Sequence, residues 1–162
     1  MKEETNNPTT NAFDQAEAKR IKEYLAEQSS KQQTEKSTTY SSSSSSKDSL
    51  DTCVSIDEGA NKYVLISAFR KEEQQKFVVS QRGAHYHRNV AESFLPTLEE
   101  HGYTNIQIQG GGRISLNSNE TKIHVFGHSY GFGQANHEDA TEVIRNDTRY
   151  SHYHVTWSND GY

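Results

Sequence analysis

The chain has 162 residues, 31% of them hydrophobic, and its 17 basic and 22 acidic residues give a net charge of −5. This length fits one domain with an appendage. The acidic balance and the absence of a basic block argue against nucleic-acid binding, and no apolar run approaches the roughly 20 residues of a membrane span.

The first third of the chain is compositionally different from the rest. Residues 1–50 hold 11 hydrophobic residues, whereas residues 51–162 hold 39, and Ser41 to Ser46 is an uninterrupted serine run. Such a segment buries too little apolar surface to offset its chain entropy, so we expect residues 1–58 to be a disordered tail that is dispensable for catalysis. The opening residues also lack an apolar signal-peptide core, which predicts a cytoplasmic protein.

One stretch of this tail has helical periodicity. Phe13, Ile21, Tyr24 and Leu25 recur at helical spacing, and Asn11 is a suitable N-cap. Residues 11–28 are therefore predicted to form a transient helix, either docked on a partner that the sequence does not identify or without a role.

Residues 59–162 carry the pattern of a folded domain. Lys62–Arg70 and Gln75–Gln81 are rich in Val, Ile, Tyr and Phe and predict a β-hairpin. His87–His101 has apolar residues on one helical face and is followed by Gly102, which predicts a helix ending there. Pro96 is expected to kink or divide that helix.

The remaining segments alternate between short strands and one more helix. Strands are predicted at 105–109, 113–116, 122–126 and 153–157, with a break at Gly110–Gly112, a loop over 127–136 and a helix over 138–148. In the last strand, Val155 and Trp157 are expected to face the core. The predicted fold is a single α+β domain with a mixed sheet of five to six strands flanked by two helices.

All eight histidines lie at position 85 or later. His85 and His87 are spaced i, i+2 and could bind a metal together, with His124 or His128 as further ligands. A surface or hydrogen-bonded core role is the ordinary alternative for each of these histidines, and we expect no metal site. Cys53 is the single cysteine, which excludes an internal disulfide and a multi-cysteine metal site within one chain.

Two glycine-rich segments suggest anion binding. In Gly110–Arg113, the glycines permit a sharp turn or close approach to a ligand, and the guanidinium suits phosphate; the alternative is a β-bulge with a surface arginine. The loop Gly127–Gly133 could present successive N–H groups to an anion, or be a long strand-to-helix turn. Neither segment matches a dinucleotide fingerprint or a P-loop.

Several ordered blocks together resemble the small phosphohistidine phosphatase family, which includes the janus and ocnus proteins. The similarity runs from about Gly59 to the C-terminus and does not include the N-terminal tail. The blocks are Lys62-Tyr-Val-Leu-Ile66, Tyr86-His87, Gly110-Gly-Gly-Arg-Ile-Ser115, Lys122-Ile-His-Val125, Gly127-x-Ser129 and Val155-Thr-Trp-Ser-Asn-Asp-Gly-Tyr162.

The resemblance implies roles for particular residues. It implies that His87 is the general base and that Lys62, Arg113 and the backbone amides of Ser129, Tyr130 and Gly131 bind the phosphoryl group. It further implies proteins or peptides carrying phosphohistidine as substrates, no cofactor, and metal-independent attack by water on the P–N bond.

Two positions depart from the family pattern. His85 stands where mammalian relatives carry an acidic residue, and Val79 stands where they carry an arginine, a contact that Arg82 would have to replace. Two alternatives to a phosphatase follow: a phospho-binding module of the janus type with little turnover, and a metal-dependent hydrolase that uses His85 and His87.

Overall fold

Six strands form one mixed sheet in the computed structural model, which describes residues 15–27 and 52–159. The sheet order is β1-β3-β2-β4-β5-β6, with parallel pairing at its two ends and antiparallel pairing between them. Three helices accompany it, so the predicted α+β domain with a mixed sheet is confirmed. The strands are β1 (Val54–Ser55), β2 (Gly59–Arg70), β3 (Glu73–Ser80), β4 (Thr104–Asn117), β5 (Lys122–Phe126) and β6 (His154–Trp157); the helices are α1 (15–27), α2 (His87–Glu100) and α3 (His137–Arg145), with a short 3-10 turn at Thr148–Tyr150.

The hairpin of β2 and β3 forms as predicted. Arg70 pairs with Glu73, and the two residues between them, Lys71 and Glu72, have φ values of 54° and 68°. Two successive positive φ values make a turn whose twist matches that of the flanking strands. The hairpin therefore brings β3 alongside β2 with a two-residue connection.

The predicted break at Gly110–Gly112 is wrong, because β4 continues through all three glycines. Leu65 pairs with Gly110 and the next residue, Ile66, pairs with Ile108, so Gln109 is an extra residue in a bulge. A Cβ on Gly110 would lie 2.7 Å from the Cα of Ala135. The glycines thus let the loop before α3 lie directly on the strand.

The sheet separates two apolar clusters because alternate residues of each strand face opposite sides. On one side, Val64 and Ile66 of β2 pack with Leu95 and Leu98 of α2. On the other side, residues of β2, β4 and β5 pack with α3: Tyr63, Leu65, Ile114, Val125, Ala140 and Ile144. Each predicted helix therefore covers one face of the sheet.

Helix α2 continues past Pro96 as one helix, so the expected division does not occur. The missing proline N–H leaves the carbonyl of Glu92 without its helical donor. Both residues are exposed, so water can replace that donor. At the last strand, Val155 is buried as expected, whereas Trp157 is 40% exposed and does not face the core.

Two elements that the sequence analysis assigned to the tail contact the core. Ala18, Ile21 and Leu25 of α1 are buried in the same cluster as α2, and Val54 of β1 is buried and pairs with Val78. The serine run lies outside the described residues, and the domain boundary at residue 58 stays a prediction. No helix among the described residues has the length and apolar content needed to cross a bilayer.

A cluster around Asp147 fastens β1 to the turn before β6. The Asp147 carboxylate accepts hydrogen bonds from the Arg149 backbone N (2.8 Å), from Arg149 Nη2 (3.0 Å) and from the Thr52 hydroxyl. Arg149 Nη2 also donates to the Val54 carbonyl (2.7 Å). These bonds, above all those from the Arg149 side chain, lower the pKa of the Asp147 carboxyl from 3.8 to about 2.

Asp147→Asn is expected to lower the free energy of unfolding by about 2 kcal/mol at neutral pH, the equivalent of that pKa shift. Because the folded-state pKa lies below the unfolded value, this stabilisation is present above pH 3.8 and is lost as the pH falls toward 2. Urea unfolding at several pH values measures it. Asp139→Asn, which breaks the more exposed Lys76–Asp139 pair, is the control and should cost under about 1 kcal/mol. An Asp147→Asn loss that does not shrink at low pH would contradict the ionic explanation.

Candidate active site

His87 is the first residue of α2, and its side chain is fully buried. Its Nε2 lies 3.0 Å from the carbonyl oxygen of Gly112. A carbonyl only accepts hydrogen bonds, so in the neutral ring Nε2 carries the proton and Nδ1 carries the basic lone pair. The strand therefore fixes which nitrogen of His87 is able to take up a proton.

Gly111 is the point where three parts of the site meet. A Cβ at this position would lie 2.8 Å from the Tyr63 carbonyl, 2.9 Å from Cδ2 of His87 and 3.1 Å from Cβ of Ser129. The imidazole of His87 and the loop that contains Ser129 thus both lie against the bare backbone of β4. Any side chain at residue 111 would have to displace one of them.

Two cations lie beside this point on neighbouring strands. Arg113 follows Gly111 by two residues on the same face of β4, and Lys62 of β2 is its direct cross-strand partner. Both side chains carry a positive charge on the same face of the sheet. The pair is therefore suited to attract an anionic group such as a phosphoryl group.

The loop Gly127–Gly133 is closed by its own backbone. Ser129 and Gly133 exchange hydrogen bonds in both directions, and Gly111 N donates to the Gly133 carbonyl at 2.9 Å. The Ser129 hydroxyl oxygen accepts from the backbone N–H groups of Gly131 (3.2 Å) and Phe132 (3.0 Å). Two of the three amides that the resemblance assigns to phosphate, those of Ser129 and Gly131, therefore donate within the loop here. Tyr130, which carries the third, has an exposed side chain.

A buried tyrosine–histidine pair anchors the start of that loop. Nε2 of His137 lies 2.8 Å from the Gly127 carbonyl and donates to it, so Nδ1 accepts from the Tyr63 hydroxyl at 2.7 Å. Burial lowers the pKa of His137 and raises that of Tyr63. Both side chains are therefore neutral near pH 7; one hydrogen bond links them, and a second holds the His137 ring to Gly127.

The Janus/Ocnus family model matches residues 51–154. The chain belongs to the Janus/Ocnus family. It is 38% identical to the 14 kDa phosphohistidine phosphatases of Sus scrofa and Homo sapiens, over 67% of this chain and 90% and 91% of those proteins. It is also 36% identical to the sex-regulated protein janus-A of Drosophila pseudoobscura pseudoobscura, over 67% of this chain and 76% of that protein.

Within this Janus/Ocnus domain, both departures from the family pattern have defined positions. Val79 is a buried core residue, so it makes no phosphate contact. Arg82, considered as its replacement, donates from Nη2 to the Glu58 carbonyl at 3.1 Å. His85 is exposed, whereas His87 is buried two residues further along the chain.

The other candidates for chemistry are placed differently. His124 bonds through Nδ1 to the Thr156 hydroxyl (2.8 Å), and His128 lies edge-on against Tyr130. Within the described ranges, no three His, Cys, Asp or Glu side chains are grouped to hold a metal. Burial, with a smaller contribution from Asp147, raises the pKa of the Cys53 thiol, which makes it a poor nucleophile.

Sequence reasoning missed Tyr63 and His137 as supports of the site. Tyr63 stands in an apolar strand and resembles an ordinary core residue, and His137 is not among the histidines that the sequence singles out for chemistry. One signal was available, because His137 directly follows Asn136, the N-cap of α3. A histidine at a helix start is favoured in its neutral form.

Tyr63→Phe is expected to lower the free energy of unfolding by about 1–3 kcal/mol, because it leaves buried Nδ1 of His137 without its donor. Urea unfolding near neutral pH measures this loss. Tyr153→Phe, which removes a hydroxyl from a partly exposed ring, is the control and is expected to be near neutral. If both variants lose an equally small amount of unfolding free energy, the Tyr63–His137 hydrogen bond does not support the fold.

Proposed function

We propose that this Janus/Ocnus protein is a protein phosphohistidine phosphatase that hydrolyses the P–N bond of phosphohistidine in proteins or peptides. The observation that carries the proposal is the placement of His87, whose Nε2 is held by Gly112 one residue before Arg113. A histidine of fixed tautomer thus stands beside a cation pair. The identity to named phosphohistidine phosphatases supports the same activity.

The proposed reaction needs no covalent intermediate on the protein. Nδ1 of His87 removes a proton from a water molecule as the water oxygen attacks phosphorus, and the P–N bond breaks on the opposite side. The bond's electron pair leaves with the substrate imidazole, which takes up a proton, so the products are histidine and inorganic phosphate. Positioning and charge neutralisation provide most of the rate in such transfers.

Different groups of the protein neutralise the phosphoryl charge, keep His87 in its neutral form and contact the bound phosphate. Lys62 and Arg113 neutralise the phosphoryl oxygens, with Arg113 able to make two parallel hydrogen bonds. The positive end of the α2 dipole favours the neutral form of His87 before attack. The His87 ring has no exposed surface, so the adjoining Ser129 loop has to shift for substrate to enter, and the amides of Ser129, Tyr130 and Gly131 contact phosphate after that shift.

Turnover of a synthetic phosphohistidine peptide by the purified full chain tests the proposal. Phosphate release is expected, with equal rates in the presence and absence of a chelator. A phosphoserine peptide is the control and should not be hydrolysed, because an alkoxide is a much poorer leaving group than an imidazole.

Two other results would each support an alternative. Binding of the phosphohistidine peptide without phosphate release would make the protein a phospho-binding module, as considered for janus-type proteins. Loss of activity with chelator and its recovery with added metal would indicate a metal-dependent hydrolase with His85 and His87 as candidate ligands.

A further inference from the structure

Helix α1 lies outside the part of the chain that matches the family, yet it contacts the candidate site. The family match begins at residue 51, whereas α1 comprises residues 15–27. Ala18, Ile21 and Leu25 are buried in the cluster that also contains Phe132, the residue after Gly131 in the site loop. A helix that this chain adds to the family domain therefore packs beside the loop.

Polar contacts join the same helix to the loop. Lys22 Nζ lies 3.5 Å from the Gly131 carbonyl oxygen and 5.5 Å from the centre of the Phe132 ring. The first contact is at the long end of hydrogen bonding, and the second is a cation–π distance. Both contacts involve Gly131 and Phe132, whose backbone N–H groups donate to the Ser129 hydroxyl oxygen.

An ion pair joins α1 to the start of α2. Glu17 Oε1 lies 2.6 Å from Arg88 Nε, and Arg88 directly follows His87. Both side chains are about four-fifths buried, with 21% and 23% of their surfaces exposed, so this pair is less screened than a typical surface pair. Arg88 also pairs with Glu92 within α2 itself, which provides an internal comparison.

We propose that α1 is a positioning element of the active site. It holds the loop Gly127–Gly133 through contacts with Gly131 and Phe132, and the Glu17–Arg88 pair holds α1 itself in place. The inference rests on the proposed phosphatase function for its kinetic consequence. The Ser129 side of the loop has to shift to admit substrate, whereas α1 contacts the other side, at Gly131 and Phe132. With that side held in place, fewer residues lose conformational freedom when phosphate binds, so α1 improves phosphate affinity without touching the phosphate. This is the opposite of the expectation that residues 1–58 are dispensable.

The test uses two matched double variants of the full chain. Glu17→Gln with Lys22→Met removes the α1 contacts, both substitutions being in α1. Glu92→Gln in α2 with Lys19→Met in α1 makes the same two charge changes without removing those contacts. The first variant is expected to raise KM for the phosphohistidine peptide and the inhibition constant of inorganic phosphate together, by about threefold to tenfold, with kcat within about twofold. The control variant is expected to change none of these.

A third variant separates bracing from charge. Ile21→Ala trims the buried contact of α1 without changing charge, and it is expected to shift KM and the phosphate constant in the same direction. A merely structural helix would instead lower the folded fraction, which reduces the apparent kcat and leaves KM unchanged. Thermal melting of each variant measures the folded fraction.

Phosphate binding is also measured directly by NMR titration, which requires no turnover. If the wild-type chain hydrolyses no phosphohistidine but the contact variant still weakens phosphate binding, the proposed function fails and the positioning role stands. Unchanged phosphate binding in the Glu17→Gln, Lys22→Met double variant and in Ile21→Ala would overturn the positioning role. Tighter binding in them, or equal changes in the control variant, would overturn it as well.

Discussion

Replacement of His87 by alanine is expected to lower kcat for phosphohistidine hydrolysis by about 10²–10⁴-fold, the usual contribution of a positioned general base. This corresponds to about 3–5 kcal/mol of transition-state stabilisation. Steady-state phosphate release at saturating substrate measures the loss. Because Lys62 and Arg113 remain in place, inorganic phosphate should still bind to the variant.

The buried position of His87 requires a second variant, since alanine leaves a cavity beside Gly111. His87→Gln keeps an N–H group that can donate to the Gly112 carbonyl but has no basic nitrogen, so it should lose activity while retaining the fold. His85→Ala, at an exposed position, is the control and should affect kcat far less. Near-normal kcat in both His87 variants would remove this residue from the mechanism, and the reverse ranking of His85 and His87 would place the base two residues earlier.

The elements that could be predicted from sequence are those specified by local pattern. The alternating β-branched and aromatic residues of β2 and β3 identified the hairpin, and the apolar spacing from Val90 to Leu98 identified α2. In contrast, Gly110–Gly112 has the local composition of a break and lies inside β4. Its continuity depends on pairing with Tyr63–Leu65 of β2 and on contacts with residues 133–135, all more than 20 positions away, which no local pattern contains.

The packing of helix α1 is a second feature that its local sequence could not predict. Helical spacing at Ile21 and Leu25 predicted the helix, but its docking depends on a surface formed jointly by α2 and by Phe132. That surface exists only after the domain has folded. Helical structure could therefore be inferred from the segment alone, whereas its packing could not.

The candidate catalytic and phosphate-binding residues could be inferred from the sequence, whereas the buried residues that support them could not. Family resemblance pointed to His87, Lys62 and Arg113, and the structure brings these three around Gly111 and Gly112. The supporting pair of Tyr63 and His137 could not be inferred, because their bond joins residues 74 positions apart. The candidate catalytic and phosphate-binding residues lie in recognisable motifs, whereas the buried residues that support them resemble ordinary core residues.

Arg113→Ala is expected to weaken the binding of inorganic phosphate and to raise KM for the phosphohistidine peptide together, by about tenfold to a hundredfold. The reason is that hydrogen bonds to charged groups contribute about 1.5–3 kcal/mol. Arg113→Lys retains the positive charge but not the planar pair of donors, so it should recover only part of the loss. Phosphate titration followed by NMR gives the dissociation constant, and steady-state kinetics gives KM.

Arg82→Ala is the informative control for Arg113, because Arg82 was the candidate to replace the arginine absent at Val79. In the structure Arg82 Nη2 donates to the Glu58 carbonyl, so this variant is expected to leave phosphate binding unchanged. An equal loss in the two variants would show that Arg82 turns toward the phosphate when it binds. Unchanged phosphate binding in Arg113→Ala would make Arg113 a surface residue beside the bulge of β4, and the cation pair with Lys62 would then have no part in recognition.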